Sequence, residues 1–170
     1  RSALATYLNA YADRNATSED LFRTLDAALG RTVSTPMASF VDQPGFPLLH
    51  ASLACHGSGA ASLELSQEPF VPGTDRTWQF PVCVRAGTGK RVDRACTLLQ
   101  GKTGSLSLPA SLGCPAWVVV NDGGLDYYRV AHAPELRKNL RATPRGVLSA
   151  EEQVAVTSDL SALAERGDVP

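Results

Sequence analysis

A chain of 170 residues with 44% hydrophobic and 19% charged residues has the composition of a globular protein with one well-buried core and room for a second small unit. The net charge of −1 stays near zero through each third of the chain, which excludes the basic stripe of a nucleic-acid binder. No apolar run approaches the roughly 20 residues of a membrane span, and "RSALATYL" at the start carries no targeting segment, so the chain reads as an excised piece.

The first 44 residues read as helical. After "NATSED", Thr17 or Ser18 can cap free N–H groups, Glu19 and Asp20 suit the positive helix end, and Leu21, Phe22, Leu25, Ala28 and Leu29 form one apolar stripe. Gly30 ends that helix, and a shorter one is expected from Pro36 to Gln43, closed by "QPG". Asn15 sits in an Asn-Ala-Thr sequon and reads as a loop residue beside the cap.

From Phe46 the period changes to two. "PLLHASLAC" places Leu49, Ala51, Leu53 and Cys55 on one face, "ASLELSQEPF" places Leu63 and Leu65 on one face, and "HGSGA" turns between them. "WQFPVCVRA" aligns Trp78, Phe80, Val82 and Val84, with Pro81 suggesting an edge or a bulge. "RVDRACTLL", "GSLSLP", "PAWVVVN" and "LDYYRVAH" follow, each closed by Gly, Pro or Asn. "WVVVNDGGLDYYRV" reads as a hairpin whose tip, Asn121 to Gly124, supplies positive-φ residues, while Arg129 inside its second strand is left without an evident role. About seven short strands point to a mainly β protein, an antiparallel Ig-like sandwich with helices at both ends. The C-terminal helices are "APELRKNLRA" and a longer one starting at Ser149 with acids in its first turn.

The chain offers little chemistry. His50 and His56 lie about 20 Å apart at strand rise, too far for one metal, and no histidine is followed by the Glu of a zinc helix. "GSGAAS" lies in a turn rather than a nucleophile elbow, and "GTGK" joins two strands without the helix a phosphate loop requires. No catalytic residue and no metal ligand is therefore expected. Folding "VCVRAGTGKRVDRAC" about Gly89 and Lys90 sets Cys83 opposite Cys96 and leaves Cys55 for Cys114. Four cysteines allow three connectivities, and buried thiols are the alternative to each. Disulfides would imply export, to a periplasm or outside the cell.

Six segments in collinear order, "YLNAYADRNATSEDL", "VSTPMASFVDQPGFP", "LELSQEPF", "WQFPV", "WVVVNDGGLDYYRV" and "LSAEEQVAVTSDLSAL", resemble the later part of zinc aminopeptidases of the aminopeptidase N type. The resemblance implies residues 1–45 as terminal helices of a zinc peptidase domain, 46–132 as its β-sandwich domain, and 133–170 as the start of a helical domain. It departs from the family pattern at Phe40, Pro69, Asp126 and Gln153, the last putting in doubt an ion pair that an arginine would make there. In family terms the zinc ligands, catalytic glutamate, substrate-amine motif and transition-state tyrosine lie upstream of Arg1, so Tyr7 and Tyr11 are expected to be packing residues.

The resemblance thus implies a noncatalytic structural module between the catalytic and helical domains of a parent enzyme. That parent would use zinc to hydrolyse N-terminal peptide bonds of a peptide substrate, while this chain holds no cofactor. Arg129, Asn121, Trp78 and Trp117 are expected to be structural, with Arg129 clamping the sandwich to the helical segment through Asp159 or Glu152. The alternative is an independent Ig-like module that binds protein or carbohydrate without catalysis, which would need an exposed aromatic platform.

Overall fold

Thr17 sets where the main N-terminal helix begins. In a computed structural model that describes residues 2–57 and 59–169, its Oγ1 accepts from Asp20 N (3.2 Å) while the Asp20 carboxylate accepts from Thr17 N (3.0 Å). This capping box satisfies two of the N–H groups a helix start leaves free. Helix α2 (Ser18–Leu29) follows α1 (Ser2–Ala10) and ends at Gly30 with φ +62°. Asp26 then accepts from Val33 N (2.6 Å) and from Ser34 Oγ (2.6 Å), fixing the start of α3 (Ser34–Val41) two residues before Pro36. The Tyr7 and Tyr11 rings meet with centroids 5.1 Å apart and planes tilted by 37°. These helices lie in one compact unit, Arg1–Pro44, and the rest of the chain forms a second, Gly45–Pro170.

The second unit holds two sheets. The four-stranded sheet has the order β5-β2-β1-β7 and the three-stranded sheet β4-β3-β6, from β1 (Pro47–Cys55), β2 (Ala61–Pro69), β3 (Phe80–Thr88), β4 (Arg91–Leu99), β5 (Thr103–Ser107), β6 (Trp117–Val120) and β7 (Arg129–His132). The period-two reading places the core: Phe80, Val82, Val84 and Ala86 are buried on one face of β3, and Ala51, Leu63 and Leu65 on β1 and β2. Pro81 lies on the central strand, where it pairs with Leu98 of β4, but the β6 pairing begins only at Val84. At Pro81 the strand is therefore locally an edge, and its missing N–H costs no ladder bond.

The expected hairpin across residues 117–130 does not form. β6 pairs with β3 in one sheet, whereas β7 crosses to the other and runs parallel to β1, with Leu49 opposite Val130 and Ala51 opposite His132. The positive φ values fall at Asn121 (69°), Gly123 (74°) and Gly124 (66°), around a short 3-10 turn. A two-residue hairpin turn needs its special angles at the two central residues of a closed ladder. Here the Asn121 side chain closes its own loop instead: Oδ1 accepts from Asp126 N at 3.0 Å. The remaining pairings among the described residues are antiparallel.

The pair expected from register, Cys83–Cys96, forms a disulfide, and so does the pair left over, Cys55–Cys114. Cys83 and Cys96 face each other across β3 and β4 with Cα atoms 4.1 Å apart, and Cys55 bonds Cys114 with Cα atoms 5.4 Å apart. The second closes a separation of 59 residues and ties the end of β1 in one sheet to the segment entering β6 in the other. The first closes only 13 residues within an existing ladder, so the chain-entropy argument gives it the smaller contribution.

Two helices complete the unit, α4 (Pro134–Ala142) and α5 (Ala150–Arg166). Trp117, Val119 and Leu140 form a buried cluster on which Val147 and Leu148 pack, so α4 and the segment after it cover the outer side of β6. Gly87, opposite Trp117 on β3, leaves the space the indole fills, since a Cβ there would run into its ring.

Candidate functional site

Helix α5 enters the fold through its own cap. Ser149 Oγ accepts from Glu152 N (3.2 Å) and the Glu152 carboxylate accepts from Ser149 N (2.8 Å), which turns Glu152 inward to 1% exposure. Arg85, on the outward phase of β3, meets it in a two-pronged contact: Nε donates to Oε1 at 2.8 Å and Nη2 to Oε2. Nη2 also donates to Val147 O (2.7 Å), and the guanidinium lies 5.1 Å from the Trp117 ring centroid. Burial pushes the Glu152 carboxyl up, but the hydrogen bonds from Arg85 and Ser149 and the Arg85 charge outweigh it and hold the group below its ordinary range. Arg85 is correspondingly raised by the Glu152 hydrogen bond.

Arg85 faces Arg94 across the β3–β4 register. Asp122 lies against both, 4.0 Å from Arg85 Nε and bonded to Arg94 Nε, and removes the like-charge repulsion that such a cross-strand pair would carry.

Two helical turns beyond Glu152, on the same face of α5, lies Asp159 at 5% exposure. Arg129 of β7 donates from Nη1 to Ser158 Oγ (2.7 Å) and to Asp159 Oδ1 (3.2 Å), while Val130 N donates to Asp159 Oδ2 (3.2 Å). β7 is an edge strand, so a helix carboxylate satisfies a backbone N–H that would otherwise lack a ladder partner. Of the two partners considered for Arg129, Asp159 makes the contact and Glu152 is engaged by Arg85. Burial outweighs the Arg129 charge at Asp159 and pushes its carboxyl up to about 6.

The loop between β6 and β7 lies under α5. Asn121, 4% exposed, donates its backbone N–H to Cys83 O (3.0 Å) and grips Asp126 with its side chain. A Cβ on Gly124 would lie 3.0 Å from Ala155 Cβ, so the loop presses directly on the helix. Tyr128 is buried against Phe80 (centroids 4.9 Å), with its hydroxyl donating to Asp126. Trp78 is held by Gln67, which accepts from Trp78 N (2.9 Å) and donates to Trp78 O (2.7 Å) from an inward position on β2.

The histidines serve separately. His50 Nε2 lies 3.5 Å from Glu68, His56 meets Ser62 Oγ at 3.4 Å, and His132 is buried. Burial, aided by the Arg137 charge, pushes the His132 imidazole down to about 4. Among the described residues no three His, Cys, Asp or Glu side chains converge as a metal site, and the cysteines are all in disulfides, so the residues of this chain do not fit a zinc ion.

No family model matches the chain. It is 29% identical over 96% of its length to "Aminopeptidase M1" of Arabidopsis thaliana, 29% over 98% to "Aminopeptidase M1-A" of Oryza sativa subsp. japonica, and 29% over 99% to "Puromycin-sensitive aminopeptidase" of Caenorhabditis elegans. The chain matches a fragment of an aminopeptidase N type enzyme. It spans 18–20% of the length of these relatives.

The Arg85–Glu152 pair and the role of Gln67 were not singled out from sequence. Gln67 carried a signal, a polar residue in phase with Leu63 and Leu65. Arg85 carried a weaker one, since an outward strand arginine is ordinarily solvated.

Two outcomes follow from the buried carboxylates. Arg85→Ala strands Glu152 without its cation and is expected to lower unfolding stability by about 3–5 kcal/mol, while Arg85→Met combined with Glu152→Met recovers much of the loss. Denaturant unfolding reads both, and a loss below about 1 kcal/mol for Arg85→Ala would contradict the pairing. Asp159 has a raised folded pKa, so its contribution to stability is full below about pH 4 and is lost as pH rises through about 6. His132 acts oppositely, its contribution present above about pH 6.5 and lost as pH falls toward 4. Relative to Asp159→Asn, the parent chain should therefore gain about 2 kcal/mol between pH 7 and pH 4; a pH-independent difference would show that Asp159 is not buried as described.

Proposed function

We propose that this chain is a noncatalytic structural module of a zinc-dependent aminopeptidase, bridging the catalytic domain and the helical domain. In this reading residues 1–45 are the terminal helices of the catalytic domain, 46–132 the β-sandwich domain, and 133–170 the start of the helical domain. The observation that carries it is the seam at α5: Glu152 and Asp159 on one helix face are held by Arg85 and Arg129 from different sheets. A helix fixed at two points transmits position, which a spacer between two working domains requires. Similarity to aminopeptidases along almost the whole chain supplies the second support.

The parent's reaction would be hydrolysis of N-terminal peptide bonds, with zinc activating a water. Zinc and the groups that hold it are expected outside this chain, whose own residues supply spacing and rigidity. Trp78, Trp117, Asn121 and Arg129 are structural in this reading, each for the contacts described above. The two disulfides favour an oxidising compartment, periplasmic or extracellular.

The chain supplied with Zn²⁺ is expected to release no product from alanine p-nitroanilide. The protein extended upstream through a His-Glu-x-x-His helix and its following glutamate should hydrolyse the same substrate and lose activity to a chelator. Turnover by the 170-residue chain alone, or an upstream region without that motif, would overturn the assignment.

A further inference from the structure

The three-stranded sheet ends at β4, a strand of nine residues that pairs with β3 alone among the described residues. Its register with β3 runs without a bulge from Arg91, opposite Thr88, to Leu99, opposite Phe80, and it contains no proline. The edge at β7 is met by Asp159 of α5, but β4 has neither a bulge, a proline nor a covering bond to close it.

Alternation decides which residues of β4 offer their backbone to the open side. Cys83 O accepts from Asn121 N on the β6 side, so Cys83 and its partner Cys96 turn their N–H and C=O groups away from each other. Their Cα separation of 4.1 Å agrees with a non-hydrogen-bonded pair. With a period of two, Val92, Arg94, Cys96 and Leu98 therefore point their N–H and C=O groups outward, where none has a partner among the described residues. The same residues carry their side chains on the outer face of the sheet, and Val92 (45%) and Leu98 (42%) are large apolar groups left exposed there.

A second copy of β4, running antiparallel, fits this edge in one register. Outward residues must lie opposite outward residues, which puts a central twofold axis at Arg94, Ala95 or Cys96. At Arg94 two guanidinium groups would face each other, and at Cys96 the Val92 side chain would face Gln100, beyond the strand end. At Ala95 every outward group is met, Val92 faces Leu98 of the second copy, and Arg94, already paired with Asp122, faces Cys96. On the inner face the same register sets Asp93 opposite the Thr97 hydroxyl. We propose that this chain forms a twofold dimer through β4, joining two three-stranded sheets into one continuous sheet with Val92 against Leu98 at both ends of the seam. The dimer does not rest on the bridging role, which its failure would leave intact.

Sedimentation velocity of the 170-residue chain from about 1 to about 500 μM is expected to show a reversible monomer–dimer equilibrium. Val92→Lys combined with Leu98→Lys sets like charges opposite each other and should weaken association about tenfold or more, whereas Val92→Lys with Leu98→Glu sets opposite charges there and should restore it. Both positions are exposed, so the melting temperatures should stay near that of the unmutated chain. Hydrogen exchange of the unmutated chain gives a check without a variant. The amides of Val92, Arg94, Cys96 and Leu98 should gain protection as concentration rises, while those of Asp93, Ala95 and Thr97, which face β3, stay protected throughout. A chain that remains monomeric over this range, a dimer indifferent to the two lysines, or association that the Lys–Glu combination does not restore would each overturn the proposal. So would a monomer whose outward β4 amides become protected only in the protein extended upstream or downstream, since β4 would then pair within the parent.

Discussion

Two carboxylates buried seven residues apart on one face of α5 organise the C-terminal half of this fold. Each must find a cation, because an ionised carboxylate out of water without one is too costly to keep. Arg85 comes from β3 of one sheet and Arg129 from β7 of the other, so one helix closes a seam between two sheets. β7 crosses to the edge beside β1, which brings Arg129 and Val130 N within reach of Asp159.

The two pairs are not equivalent. Glu152 receives a two-pronged guanidinium and its own cap, and stays below its ordinary range despite burial. Asp159 receives one guanidinium contact and one amide, and burial prevails. The first pair acts as a fixed anchor near the start of the helix, and the second makes the middle of the helix responsive to acid. His132 opposes that response over nearly the same pH interval.

Much of the architecture was legible from local rules. Thr17 and Ser149 opened helices where their capping boxes stand, and alternation identified the buried face of β3 residue by residue. Hairpin register was enough to set Cys83 against Cys96. The path of β7 was not legible, because Asn121, Gly123 and Gly124 announce positive φ but say nothing about which sheet edge the next strand will join. Arg129 had two acidic candidates on the same helix face, and only the helix's position over the sheets separates them. Arg85, between Val84 and Ala86, looked like any solvated strand arginine until Glu152 was placed against it.

If the chain bridges two domains as proposed, its helix must be held as firmly as its sheets. Native-state hydrogen exchange across the chain measures this directly by giving an opening free energy for each amide. The account predicts that amides of α5 from Glu152 to Leu163 open only with those of β3, β6 and β7, as one cooperative unit. If α5 exchanged through a separate low-energy opening while the strands stayed protected, the helix would be an appended segment, and the seam would not be what joins the sandwich to it.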